Sequence, residues 1–243
     1  MSTLRELDVS RKYPARLIRV RSGGEELVFR PTLMTDAEAI CEATLQSLPE
    51  LKRFMPWAHV EQTPKSQLER LRGCEADYFA GEEMVMGLFG ADGAMRAMIG
   101  LHPRVPLNPN GLEIGYWAPT RFAGKGFTTL GVKIATTYAF DKLGADRVQV
   151  MCDEVNAASR RVIEKCGFVL EGVLQNFTFT PTPELVAGGF QGTRRSPMFA
   201  LAPESFAALP WVEELRASLT YVNLAAFSST KPRRTKSGGD EFS

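Results

Sequence analysis

Residues 112–143 run LEIGYWAPTRFAGKGFTTLGVKIATTYAFDKL, and no other segment constrains the fold as much. LEIGYWA (112–118) puts Glu113, Gly115 and Trp117 on one face of a strand and Ile114 and Tyr116 on the other. Gly124 and Gly126 then interrupt the chain, and TTLGVKIATTYAFDKLG carries its apolar residues at helical spacing. A strand that passes through a glycine turn straight into an amphipathic helix needs a sheet with helices packed on it. The chain therefore reads as α/β.

The flanking segments alternate in the same way. ELVFRP (26–31) is strand-like, and in TDAEAICEATLQ the capping-box spacing of Thr35 and Glu38 predicts a helix starting near Asp36. Thr63-Pro64 opens a second helix with Leu68, Leu71, Glu75 and Tyr78 along one side. MVMGLFG (84–90) and MRAMIGLH (95–102), either side of Asp92-Gly93, predict a β-hairpin. RVQVMCD (147–153) is a strand, NAASRRVIEKCG a helix closed by Gly167, and FVLEGVL and SPMFALA are two further strands. PESFAALPWVEELRASL predicts one closing helix with Trp211, Leu215 and Leu219 on one face. STKPRRTKSGGDEFS is polar and reads as a disordered tail.

Composition narrows the function classes. With 44% hydrophobic residues over 243 positions the chain can bury a full core, and a net charge of +1 gives no overall attraction to nucleic acid or anionic membrane. The basic cluster Lys231, Arg233, Arg234 and Lys236 reads as a solvated tail, with an RNA or ribosome contact as the alternative. No window approaches the roughly 18 apolar residues of a membrane span, and the first residues lack a signal-peptide core, so a cytoplasmic location is expected. Cys41, Cys74, Cys152 and Cys166 never approach a CxxC spacing and only His59 and His102 accompany them, so neither a metal site nor a disulfide framework is expected.

The glycine turn has the makings of an anion site. Amides at a helix start point outward unpaired at the positive end of the helix dipole, and a turn without side chains lets a phosphate reach them. Arg121 and Lys125 add charge and Thr128 a hydroxyl. Glycines also serve simply to make tight turns, so the pattern alone leaves both readings open. It is not a P-loop, because Gly126 follows Lys125, and the dinucleotide fingerprint GxGxxG fails at Thr129.

The run EIGYWAPTRFAGKGFTTLGVK followed by DEVNAASRRVIEKCGFVLEGVL resembles the GNAT superfamily of acetyl-CoA-dependent N-acetyltransferases. With LKRFMPWAHV upstream, it is most similar to the RimJ/RimL branch, whose members acetylate N-termini of ribosomal proteins. The resemblance covers residues 26–206, leaving 1–25 as an N-terminal extension, 207–228 as a helical extension and 229–243 as the tail. It implies the GNAT fold: a mixed, mostly antiparallel central sheet with helices on both faces and a glycine-rich strand-to-helix loop on the coenzyme diphosphate. Arg121, Phe122, Ala123, Gly124, Lys125, Gly126, Phe127 and Thr128 would wrap that diphosphate through backbone amides. The strand before the loop would splay from its neighbour, so that pantetheine pairs with backbone near Trp117 and Ala118. Family members occur as monomers or as homodimers through late strands.

Amine acetylation needs a neutral amine, an oxyanion donor and a proton for the departing thiolate. Glu113 is the candidate base, or else a sheet-surface glutamate held by a cross-strand partner. A backbone amide around Trp117 would serve the oxyanion. Many superfamily members carry a tyrosine acid where Ile163 stands; Asn156 and Ser159 match the branch's Asn-x-x-Ser and would contact pantetheine and the sulfur, or simply cap their helix. Cys152 and Cys166 read as core rather than as acetyl carriers, and His59 as a substrate contact or a surface residue. The expected activity is transfer of acetyl from acetyl-CoA to a primary amine, foremost a protein N-terminus. The alternatives are a small-molecule amine acceptor, or a silent acetyl-CoA-binding module that engages a partner through the tail or residues 180–192.

Overall fold

The computed structural model describes residues 17–222. Leu17–Ser22 (β1) and Glu25–Pro31 (β2) form a hairpin across Gly23-Gly24, both at positive φ as its tight turn requires. Ile18 and Val20 of β1 alternate inward and are buried, so residues 17–22 add a strand to the sheet beside β2. A 3-10 turn leads into Ala37–Leu45 (α1), followed by Leu48–Leu51 (α2) and Pro64–Ala80 (α3). The capping box expected from Thr35 and Glu38 does not form. Asp36 takes that role, accepting from the Leu33 N–H at 2.8 Å while ion-paired to Arg30 at 2.7 Å. For α3 the cap is as expected, with Thr63 and Ser66 exchanging hydrogen bonds of 3.0 Å.

Met84–Gly90 (β3), Met95–His102 (β4) and Gly111–Trp117 (β5) continue the sheet. Phe127–Asp141 (α4), Arg147–Met151 (β6), Ala157–Lys165 (α5) and Val169–Leu174 (β7) follow. The short helix Pro183–Ala187 (α6) precedes Ser196–Leu201 (β8). The closing segment is two helices, Pro203–Ala207 (α7) and Val212–Ser218 (α8), rather than the one expected, because Pro210 cannot donate to a continuing helix. Thr220–Val222 (β9) ends the described chain against β1. The predicted tail lies outside the described residues.

The nine described strands form one sheet in the order β7-β8-β6-β5-β4-β3-β2-β1-β9. Every pair is antiparallel except β5 with β6. One face buries Ile99, Ile114, Val132, Tyr138, Ile163 and Phe206 under α4, α5 and the closing helices. The other packs Ile40, Leu71, Phe89 and Met98 under α1 and α3. Each fully buried aliphatic side chain contributes about 1.5–3 kcal/mol, so either layer would unravel if its helix were lost. A Cβ at Gly131 would stand 2.5 Å from the Ile99 side chain, so that glycine sets how closely α4 approaches β4. No helix among the described residues is long and apolar enough to cross a membrane.

Candidate active site

The parallel pair β5–β6 is short. It runs only from Gly111↔Arg147 to Glu113↔Gln149, although β5 continues to Trp117 on β4 and β6 to Met151 on β8. The two strands therefore part, and a cleft of about 450 Å³ opens between them. Ile114, Gly115 and Tyr116 line it from β5, and Met151, Cys152 and Asp153 from the end of β6. Asn156 and Ser159 face it from the start of α5.

The glycine turn sits where β5 leads into α4. Gly124 and Gly126 have φ of 74° and 87°, which other residues rarely adopt, and a Cβ on either would meet no atom within 4 Å. The open side is thus available to a ligand, and the first-turn amides of α4 have no acceptor one turn back. Phe122 anchors the loop. Its ring lies under Arg96 at 4.4 Å, Arg121 at 4.9 Å and Lys125 at 5.5 Å, and meets Phe127 edge-on at 5.9 Å. Arg96, almost wholly buried, is ion-paired to Glu25 and, at 3.0 Å, to Asp92, so the β3–β4 hairpin and β2 hold the loop from below. Asp92 is a local partner within the hairpin, but Glu25 and Phe122, which tie Arg96 to β2 and to the loop, lie on distant segments that the sequence does not connect.

Asn156 caps α5 by accepting from the Ser159 N–H at 3.1 Å, and both side chains still line the cleft. Tyr116 donates its hydroxyl to the Ser159 carbonyl at 3.1 Å and shares a 2.8 Å bond with the Ser159 hydroxyl. Burial holds the Tyr116 phenol far above its ordinary range, so it stays protonated and fixes Ser159 in place.

The family model described as the acetyltransferase (GNAT) domain matches residues 26–169. The chain belongs to the GNAT acetyltransferase family. Among curated relatives is the Bacillus subtilis (strain 168) protein named "Putative ribosomal N-acetyltransferase YdaF". It is 30% identical over 148 residues, which cover 61% of this chain and 80% of that protein. Mycobacterium smegmatis RimJ in complex with CoA-disulfide superposes with a TM-score of 0.71 at 18% identity, covering 87% of this chain and 99% of that one. The RimL ribosomal L7/L12 alpha-N-protein acetyltransferase in complex with coenzyme A gives a TM-score of 0.65 at 17% identity, covering 77% and 99%. The sheet and its helices are thus the expected GNAT fold, and acetyl-CoA is the co-substrate.

The other candidate residues of this GNAT domain are placed unequally. Trp117 points to the α1–α3 side, donating to Met98 Sδ at 3.2 Å with its ring 5.9 Å from Trp57, and the β5 lining of the cleft ends one residue before it, at Tyr116. Ala118 packs against the main core. Glu113 is not in the cleft lining; it accepts from Gln149 Nε2 at 2.9 Å and lies opposite His102. Burial pushes the Cys152 thiol up to about 11 and the Cys166 thiol to about 12, which suits packing and not nucleophilic attack. His59 bonds the Lys52 carbonyl at 2.9 Å and packs edge-on to Phe190 at 6.3 Å, outside the lining. Among the described residues no three His, Cys, Asp or Glu side chains are grouped to hold a metal ion.

The remaining wall comes from two segments far apart in the chain, the first of them inside LKRFMPWAHV. Phe54 and Met55 precede a 3-10 turn that Pro56 opens, and Phe179 and Phe190 flank α6. The segment 180–192, irregular by sequence, docks on the first: the Gln191 N–H donates to the Arg53 carbonyl at 2.8 Å, and Arg53 Nε to Gln191 Oε1 at 2.9 Å.

Proposed function

We propose that this acetyltransferase moves acetyl from acetyl-CoA to the N-terminal α-amine of a polypeptide, by direct attack in a ternary complex. The observation that carries the reading is the parted β5–β6 pair, with the open glycine loop nearby and a separate aromatic wall across the cleft. The diphosphate would rest on the amides of residues 122–128, with Arg121 and Lys125 adding charge. Pantetheine would then lie along the free edge of β5 near Trp117 and Ala118, and the acetyl group would reach the level of Asn156 and Ser159.

The amine nitrogen bonds the acetyl carbon as the carbon–sulfur bond breaks. A backbone amide near Trp117 faces the oxyanion, and the Ser159 hydroxyl, placed by Tyr116, gives the thiolate its proton and takes back the second proton that the attacking nitrogen sheds as the amide forms. Glu113 takes the amine proton by way of water, since its carboxylate is held by Gln149 beside the cleft rather than in its wall. Raised thiol pKa values favour direct attack over an acetyl-cysteine. The polypeptide acceptor draws support from the names of the B. subtilis relative and the RimL structure.

Thiol release from acetyl-CoA, followed with free and N-blocked peptides and with small amines, tests the reading. Acetylation located by mass spectrometry on the α-amine of free peptides alone is the expected result. Binding of acetyl-CoA without transfer to any amine would instead favour a silent binding module.

A further inference from the structure

The far wall of the cleft has a composition that restricts the acceptor. Phe54, Met55 and Pro56 form one side of it and Phe179 and Phe190 the other, the last two rings 5.7 Å apart. A Cβ at position 192 would lie 2.6 Å from the Phe190 ring, so Gly192 is what lets that ring stand in the wall. The two Arg53–Gln191 hydrogen bonds tie the sides together, and the wall is therefore formed before any acceptor arrives. Phe179 is 46% exposed, an aromatic surface at the mouth that an apolar group could cover.

Charge in the lining is as sparse as apolar surface is plentiful. Asp153 is its one carboxylate, and no lysine, arginine or histidine of the described residues lines it. Asp153 Oδ1 accepts from the Val155 N–H at 3.2 Å and the Thr193 hydroxyl at 3.0 Å, and Oδ2 from the Thr193 N–H at 2.6 Å. A carboxylate has about four acceptor positions, so one remains for an ammonium.

We infer that the acceptor is a polypeptide N-terminus whose first residue is bulky and apolar, its ammonium received by Asp153 and its side chain by the Phe54–Phe179–Phe190 wall. This rests on the α-amine reading above and adds the side-chain class to it. A polyamine or aminoglycoside brings second and third charges that meet no further carboxylate. An acidic first residue would face Asp153 with no cation to offset the repulsion. A lysine at that position would leave its ammonium against aromatic rings without an acid.

Peptides that differ only in their first residue (Phe, Leu, Ala, Lys or Asp), with phenethylamine and spermidine alongside, decide the matter through kcat/KM for thiol release. Phe and Leu should exceed Ala, and Phe should exceed Lys and Asp by about tenfold or more. In Phe179→Ala, whose ring is exposed and whose loss leaves the core intact, the Phe-to-Ala ratio should fall several-fold while calorimetric affinity for acetyl-CoA holds. Asp153→Asn should raise KM for the Phe peptide at constant acetyl-CoA affinity. Equal rates across first residues, or a preference for Asp, Lys or spermidine, would overturn the inference and leave acetyl transfer to amines standing. Phenethylamine exceeding every peptide would overturn the polypeptide acceptor, whereas transfer to no amine would overturn both readings together.

Discussion

The glycine loop, proposed to hold the diphosphate, and the aromatic wall, proposed to receive the acceptor, are built on different principles. The loop is eight consecutive residues whose proposed working groups are backbone amides, left open by two glycines of positive φ and anchored through one phenylalanine. The wall joins segments whose tying residues, Arg53 and Gln191, stand 138 positions apart, and its working groups are side chains. A site made of backbone must be local and keep the residues that permit its geometry. A site made of side chains needs only the right surfaces brought together, and a chain can alter them without touching the coenzyme.

The largest expected effect falls on the loop. Gly124→Glu places a negative charge where the diphosphate is proposed to lie, on a backbone conformation that costs a non-glycine residue about 1–3 kcal/mol. Coenzyme affinity should fall by about 4 kcal/mol, roughly a thousandfold, while circular dichroism remains that of the folded protein. Unchanged affinity by calorimetry in a folded variant would erase the distinction between loop and wall.

That contrast also governs what could be read from the sequence. The hairpin β3–β4, the cap of α3 and the glycine turn were legible because each depends on neighbours within a few positions: Asp92-Gly93 for the turn, Thr63 with Ser66 for the cap. The break at Pro210 carried a local signal as well, which the apolar pattern from Trp211 to Leu219 outweighed. At the first turn Asp36 reaches back to the Leu33 N–H and pairs with Arg30 of the preceding strand, contacts that the spacing of Thr35 and Glu38 did not show. The contacts of Arg96 with Glu25 and Phe122, the Tyr116–Ser159 bond and the joining of the two sides of the aromatic wall had no such signal. Their partners are distant in the chain, and only the folded sheet makes an arginine in a strand the support of a loop.

A smaller loss, about a hundredfold in kcat, is expected for Glu113→Gln, with coenzyme affinity unmoved because the diphosphate is held elsewhere. The variant keeps the shape and the Gln149 neighbour, so the pH profile carries the information. Loss of the acidic limb assigns proton uptake to Glu113; near-wild-type turnover would mean that the amine gives its proton to solvent and that positioning supplies the rate.

Arg96→Met tests whether the loop is as self-sufficient as its sequence suggests. Removing the cation over Phe122 and the partner of Glu25 and Asp92 should weaken acetyl-CoA binding by about tenfold. It should also lower stability by about 1–2 kcal/mol, a few degrees in Tm for a chain of this size. If KM for acetyl-CoA stays constant while Tm drops, Arg96 serves the hairpin alone and the loop stands without it.

The smallest effect belongs to Cys152→Ala, at the point where the two regions meet. Cys152 lines the same cleft as Ser159, so an acetyl-cysteine would be the one route by which the wall could work without a ternary complex. Burial lifts this thiol from 9.0 to about 11, which leaves about one molecule in ten thousand as thiolate at neutral pH. The substitution should therefore change kcat less than about threefold, and intact protein incubated with acetyl-CoA alone should gain no acetyl mass. Its stability signature is distinct. Because the folded state favours the neutral thiol, that contribution is fully present below pH 9 and is lost as pH rises through about 11. The alanine variant should show a weaker loss of stability across that interval, so alkaline unfolding can change while catalysis does not. A large fall in kcat, with a covalent acetyl on the wild type, would make the cysteine a carrier and end the separation of donor and acceptor sides.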